Sequence, residues 1–401
     1  MVTNVKVGSF VKNTGGVTNE KNTITGLGFT PKGIKFETSQ NTADTTFQTT
    51  CVMSMGYSDG TNHRSIYTSA KHALTTTETY RYQNNTKAIM IRASNGSLKA
   101  EGTVAFSAGQ FEITWTTADT TANIINYIVF GGDDLTIEVG TTTEPTSNGS
   151  NHHAMQGDSD FLMMASMQNA TENSLKGNSA FAEGMCTASN EGAATMWSDD
   201  AVTTTEAMRW LSSSHCLGII NTGDTFTGKA SFSSFDGTGV NLTWTDTDGA
   251  ARKIYYMAIK GGEWEVGLGT GKITTIGDVT VSTSFKPAAV MMISCGHPTN
   301  DAIQTQARFS SGFSDGTNHR GVWAGDKDAV TTTACQKYIS DGHAIIWAEE
   351  STPALQSTLD DVTFNSTPEM ILHYDVVDST ARLFIWAILK ENSFTPRMMT
   401  F

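Results

Sequence analysis

Apolar and polar residues alternate along much of this chain with the two-residue period of a β-strand. Phe111, Ile113 and Trp115 are separated by Glu112 and Thr114, which sends one set inward and the other toward solvent. A second kind of segment is apolar almost without interruption, as in Leu383-Phe384-Ile385-Trp386-Ala387-Ile388-Leu389. That pattern predicts a central strand covered on both faces. Asp59-Gly60, Asp315-Gly316 and Gly131-Gly132 fall between such runs and predict turns. One stretch, Asp199 to Leu211, reads as a short helix.

The pattern repeats. Gly56-Tyr57-Ser58-Asp59-Gly60-Thr61-Asn62-His63-Arg64 returns 256 positions later as Gly312-Phe313-Ser314-Asp315-Gly316-Thr317-Asn318-His319-Arg320. Thr75-Thr76-Thr77 returns at the same offset as Thr331-Thr332-Thr333, and midway stands Thr203-Thr204-Thr205. Phe111–Trp115 corresponds to Val240–Trp244, and Tyr127–Gly132 to Tyr256–Gly262. Each copy opens on a Val-Gly pair, at Val7-Gly8, Val139-Gly140 and Val266-Gly267. Regular short strands punctuated by turns predict β-sandwiches. The expected fold is therefore all-β: three tandem homologous β-sandwich domains with jelly-roll-like connections. They span 1–134, 135–263 (the most diverged) and 264–391, with a C-terminal tail at 392–401. Each copy is large enough for its own core, so the three need not form one continuous sheet.

Composition narrows the function. Only 16% of the 401 residues are charged, against roughly 25% in average usage. Thr, Ser, Gly and Asn fill the difference, and β-branched Thr suits a pleated surface. A net charge of −14 opposes nucleic-acid binding, which needs clustered Lys and Arg. No apolar run has transmembrane length, and Met1–Val7 lacks the regions of a secretory signal. Five scattered cysteines without a CxxC pair suggest buried thiols rather than disulfides or zinc.

Candidate chemistry concentrates in the twice-kept loop. Asp59, Asn62, His63 and Arg64, with Asp315, Asn318, His319 and Arg320, are candidates for a sugar or small-molecule site. Against this, Asp and Asn in a turn bond their own backbone. The middle copy carries Glu191-Gly192 where the others carry His-Arg, so the scaffold does not require the pair. The loop also matches G-x-S-x-G around Ser58 and Ser314, but the strand–turn–helix context of a nucleophile elbow is missing. Gly267–Lys272 fails the phosphate-loop pattern, and Asp59–Asn62 lacks the closing Glu of a calcium loop. His152 and His153 are adjacent in a strand and face opposite sides, which disfavours a shared metal. Neither a catalytic residue, a metal ligand nor a cofactor is expected. Trp115, Trp244, Tyr256 and Trp386 recur at equivalent strand positions and are expected in the core. Trp197, Trp210, Trp323 and Trp347 are less regular, and some are candidates for exposed contacts.

The Gly-Phe-Thr-Pro-Lys strand opening at 28–32, the Gly-aromatic-Ser-Asp-Gly loop, Phe-x-Ile-Thr-Trp and the Gly-Gly-Asp ending at 131–133 resemble a domain of tailed-bacteriophage virion proteins, often encoded in tandem. The resemblance covers most of 1–134 and 264–391 and, more thinly, the middle copy. It implies a non-enzymatic structural component, either a capsid decoration or cement protein or a tail, baseplate or fibre protein. Its partners would be other virion proteins and copies of itself, with no nucleic acid and no membrane. It would be assembled in the host cytoplasm into the virion. The alternatives are a carbohydrate-binding adhesin that uses the repeated loops on a host-surface glycan, and, remotely, an esterase-like hydrolase. Fused copies could sit about a pseudo-threefold axis or in line along a fibre.

Overall fold

The computed structural model describes residues 4–221, 223–272, 274–365 and 367–391; the tail expected at 392–401 lies outside the described residues. The chain is all-β, with antiparallel sheets and no helix among the described residues.

The first repeat builds an inner sheet in the order Asn4–Val11, Ile124–Gly131, Pro31–Thr38, Cys51–Ser58, His63–Ala70, Thr79–Asn84. Against its outer face lies a four-stranded sheet of Glu20–Ile24, Gln110–Thr117, Leu98–Ser107 and Ile89–Arg92. The second repeat is built alike, from Thr136–Thr143, Lys253–Lys260, Phe161–Ser166, Ser179–Cys186, Glu191–Ser198 and Ala207–Ser212 inside and four strands outside. In the third, the inner sheet is Trp264–Thr270, Leu383–Lys390, Pro287–Ser294, Ala307–Ser314, His319–Asp326 and Cys335–Ser340. Its outer layer is split into Gly277–Ser282, Glu369–Tyr374, Val362–Phe364 and a separate pair, Ile345–Ala348 with Leu355–Leu359.

Each inner sheet is completed by a seventh strand from a different repeat. Lys176–Gly177 of the second repeat pairs with Thr79–Asn84 of the first. Gln304–Thr305 of the third pairs with Ala207–Ser212 of the second. Gln48–Thr49 of the first pairs with Cys335–Ser340 of the third. The exchange therefore runs in a closed circle, and the donated segments are spaced by 128 residues, the period of the sequence. Three sandwiches stand about one pseudo-threefold axis.

Strand alternation explains the packing. In Ile124–Gly131, Ile125, Tyr127 and Val129 join the core shared with the repeat's own outer sheet. Ile128 and Phe130 point the other way, into a core that draws on all three repeats. Ile254, Tyr256 and Ala258 of the second repeat split in the same way from Tyr255, Met257 and Ile259. Phe384, Trp386 and Ile388 of the third split from Ile385, Ala387 and Leu389. The unbroken apolar runs are thus covered on both sides, by two different cores. Each repeat has a core between its own sheets, and a further one is common to the three.

The Val-Gly openings have a steric cause. Gly8, Gly140 and Gly267 lie opposite Tyr127, Tyr256 and Trp386, whose rings lie across the glycine Cα. A Cβ there would sit 2.4, 2.3 and 2.2 Å from ring atoms. A second trio, Gly56, Gly184 and Gly312, faces the carbonyls of Ala88, Cys216 and Ala344 at 1.8, 1.8 and 2.0 Å from the same hypothetical atom. Because the obstacle is backbone, it cannot rotate away. Gly184→Ala should therefore cost about 3 kcal/mol, the upper range for overpacking, read as a lowered thermal midpoint. A midpoint within a degree of wild type would show that the two layers can separate freely.

Two sequence expectations are corrected. Asp199 to Leu211 is not a helix: it is a turn followed by the strand Ala207–Ser212, paired on both edges. Trp210 and its neighbours satisfy the sheet rather than a helical face, because the loop preceding them is held by the adjacent repeats. Trp197, Trp210, Trp323 and Trp347 are not exposed contacts either; all four are buried, none more than 4% accessible.

Candidate functional site

Asp59, Asn62, His63 and Arg64 form the hairpin between Cys51–Ser58 and His63–Ala70, and Asp315, Asn318, His319 and Arg320 form its equivalent in the third repeat. Asp59 Oδ1 accepts the backbone N–H groups of Thr61 (2.9 Å) and Asn62 (2.6 Å), the geometry of an Asx turn. Its Oδ2 accepts the backbone N–H of Val139 at 3.0 Å, in the first strand of the second repeat. Asp315 repeats the arrangement and its Oδ2 accepts Val7 N–H, also at 3.0 Å, in the first strand of the first repeat. Asn62 and Asn318 donate to the same aspartates. Arg64 donates to Thr141 Oγ1 at 2.6 Å and lies over the Tyr255 ring, so it too reaches the second repeat. Arg320 donates to the carbonyls of His319 and Asp341 at 2.6 Å each.

The serines and histidines are tied locally. Ser58 Oγ lies 2.8 Å from His63 Nδ1 and accepts the Gly60 N–H at 2.9 Å; Ser314 does the same with His319 (2.9 Å) and Gly316 (3.0 Å). Both serines are wholly buried in β-hairpins. Burial lowers both histidine pKa values, most strongly through desolvation. In the third repeat His319 Nε2 also meets Asp361 at 3.2 Å. Ser, His and Asp are brought together there, yet the hydroxyl faces the turn it closes and no open space. The geometry describes two clamps that fasten a hairpin to the neighbouring repeat. Thr187 stands at the clamp position in the middle copy and bonds only Ser189 and Asn190 of its own turn.

The residues that join the repeats most regularly are the threonine triplets. At one junction Ala201 N–H donates to Thr77 O (3.0 Å), Thr77 N–H to Val202 O (2.9 Å) and Val202 N–H to Thr77 Oγ1 (2.9 Å). The same three bonds link Thr205 to Ala329 and Val330, and Thr333 to Ala73 and Leu74. They form a closed ring at the end of the axis opposite the hairpins. Beside it, Asp200 accepts Thr79 N–H, Asp328 accepts Ala207 N–H and His72 accepts Cys335 N–H. Arg81, Arg209 and Lys337, again 128 apart, each donate to a carbonyl across a junction. None of these roles is visible in a motif; the only signal was recurrence at the repeat period.

Inside the common core lies one polar cluster. Lys35 is fully buried, pairs with Glu183 and with Glu37 (2.7 Å), and has Ser311 Oγ at 3.5 Å; Ser311 in turn donates to Glu37. One residue set thus joins all three repeats. Burial works to lower the Lys35 pKa, but the two carboxylates outweigh it and hold the ammonium charged. Burial also pushes Glu183 up, to about 7, against the pull of Lys35. Met163 and Met291 stand where Lys35 does, so the cluster breaks the symmetry that the ring keeps.

Asp326 is buried, and burial raises its pKa to about 7 against the pull of hydrogen bonds from Ser198 and the Lys327 backbone N–H. The folded state then holds the proton more tightly than the unfolded chain. The stability this gives is complete below the ordinary carboxylate range and is lost as pH climbs toward 7. Ala70 occupies the same place in the first repeat. Asp326→Ala should therefore raise the thermal midpoint at pH 8, by up to about 4 kcal/mol in stability, with the difference closing by pH 4. An equal effect at both pH values would mean that the carboxyl is not neutral in the fold.

Other candidates resolve as packing. His153 accepts the indole N–H of Trp244 at 3.0 Å and meets Thr142 at 2.8 Å, and burial takes its pKa down to about 4; His152 faces Asp236 on the opposite side. Trp115, Trp244, Tyr256 and Trp386 are buried, and all five cysteines are buried and unpaired to one another by disulfide. Among the described residues no group of three or more His, Cys, Asp or Glu is placed to hold a metal ion, and no helix is long and apolar enough to cross a membrane. Two clefts lie between repeats at the hairpin end. One of about 600 Å³ is lined by Asn4, Lys286, Asp315, Asn318, Phe364 and Glu391. The other, about 380 Å³, lies beside Thr187 and Trp264, where the aspartate clamp is missing. Comparison with protein-family models, with curated proteins and with solved structures found no match to this chain.

Proposed function

We propose that the chain is a non-enzymatic structural component of a tailed-phage virion, and specifically one that acts at a threefold position, as a capsid decoration or cement protein does. The observation that carries the reading is the closed circle of exchanged strands around a pseudo-threefold axis. In-line fibre repeats would be joined end to end; here the third repeat closes back on the first. A closed ring offers three similar surfaces at fixed 120° spacing, which suits a symmetric lattice site. Of the side chains that a glycan-binding or hydrolytic reading would use, Asp59, Asp315 and Arg64 hydrogen-bond a neighbouring repeat, and Asn62, His63, Asn318, His319 and Arg320 are bonded within their own.

Electron microscopy of particles assembled with and without this chain tests the proposal. Density should appear at threefold positions of the head only when the chain is present. Density on the tail would move the protein to a fibre or baseplate role, and no density on any particle would overturn the virion reading.

A further inference from the structure

The ring explains some of the repeated loop and leaves the rest unexplained. Thr77, Thr205 and Thr333 are buried and make the inter-repeat bonds. The preceding pairs, Thr75-Thr76, Thr203-Thr204 and Thr331-Thr332, are exposed in all three copies. So are Ala73, Ala201 and Ala329, each at positive φ (59°, 59° and 55°), where an alanine is strained and glycine would be easier. The repeats have diverged nearly everywhere, the middle copy most of all, yet Ala-x-Thr-Thr-Thr is unchanged at 73–77, 201–205 and 329–333. Its flanks are not: Lys71-His72, Asp199-Asp200 and Lys327-Asp328 differ in charge. Internal packing accounts for the third threonine of each triplet but not for the exposed ones.

An exposed, uncharged segment that does not vary, beside flanks that do, fits a contact surface, whose centre is depleted in charged residues. The contact must be made alike by all three repeats, so the partner must present three equivalent surfaces about an axis. We infer that the exposed Ala-x-Thr-Thr loops at this end of the pseudo-threefold axis dock on three copies of a shell subunit around a threefold axis, with the hairpin end facing away. This rests on the virion reading and adds the orientation, the residues and the partner's symmetry. The opposite end is less suited to it: the middle hairpin differs there from the other two. Three weak equivalent contacts held on one rigid body act together, so each should matter similarly.

The test is co-sedimentation of the purified chain with particles assembled without it. Thr75→Glu/Thr76→Glu, Thr203→Glu/Thr204→Glu and Thr331→Glu/Thr332→Glu are made separately and together. Thr61→Glu, Ser189→Glu and Thr317→Glu at the hairpin tips provide the matched control. Far-ultraviolet circular dichroism melts confirm that each variant is folded. Each Thr-pair variant should weaken binding at least 10-fold and by similar factors, and the combined variant should abolish it, while the tip variant binds as wild type. Binding unaffected by the Thr-end charges, lost through the tips, or lost through one pair alone would overturn the inference and leave the virion reading standing. Self-association of the free chain that the Thr-end charges abolish would also overturn it, making the occupant a second copy. Wild-type chain that binds no particle would instead defeat the virion reading itself.

Discussion

Residues 1–134, expressed without the rest of the chain, should yield no stable monomer. Alone, this repeat exposes Val7, Met53, Met55, Tyr57, Ile66, Ile128 and Phe130, which the common core buries. At about 2 kcal/mol for each large side chain returned to water, the loss is of order 10–15 kcal/mol, as large as the whole stability of an ordinary domain. The strand Thr79–Asn84 also loses its partner, Lys176–Gly177, and Lys35 loses Glu183 and Ser311. The fragment should aggregate or associate in threes, its own Gln48–Thr49 segment taking the vacant edge of the next copy. Size-exclusion chromatography with light scattering measures this directly. A monomer with a cooperative melt would show that the repeats are independent domains that merely touch.

Lys35→Met is expected to be the most damaging single substitution in the common core. It leaves Glu37 and Glu183 buried and without a cation, which costs about 3–5 kcal/mol when one partner of a buried pair is removed. Glu183, which burial already pushes up, would then lose the pull of Lys35 and bind its proton more tightly in the folded state, so the damage should grow as pH rises above the ordinary carboxylate range and shrink toward pH 4. The other repeats show how to repair it. Met163 and Ala165 stand where Lys35 and Glu37 do, and Met55 stands where Glu183 does. Lys35→Met/Glu37→Ala/Glu183→Met should therefore recover to within about 1 kcal/mol of wild type, because an apolar replacement of similar volume often equals a buried ion pair. Thermal melts at pH 4 and pH 8 read both effects. A single variant as stable as wild type at pH 8 would mean that the cluster is hydrated rather than dry.

Much of the fold was legible because it depends on neighbours in sequence. Phe111, Ile113 and Trp115 face inward as their spacing requires, and Gly60 and Gly316 take the positive φ (88° and 82°) expected of a turn. The misreadings have a common cause. Asp199 to Leu211 contains Ala, Met, Arg and Leu, which favour a helix locally, but Thr205 and Ala207 are bonded to Val330 and Asp328 of another repeat. The irregular tryptophans seemed free to face outward only because the segments that bury them are distant in the chain. The hairpin residues recur as a unit in the sequence, but the partners of their aspartates, Val7 and Val139, are invisible to any local motif.

By itself, then, the sequence determined that the chain is all-β, where the strands and turns fall, and that a unit of about 128 residues recurs. These follow from side-chain periodicity and backbone preference, which act over a few residues. Only the tertiary structure decided that the three copies close into a ring. An inner strand such as Ile124–Gly131 is apolar on both faces, so its pattern states that something covers each side without saying what. The cover on the second face is the other two repeats, and that choice belongs to contacts such as Lys35 with Glu183 and Thr333 with Ala73, formed between residues far apart in the chain.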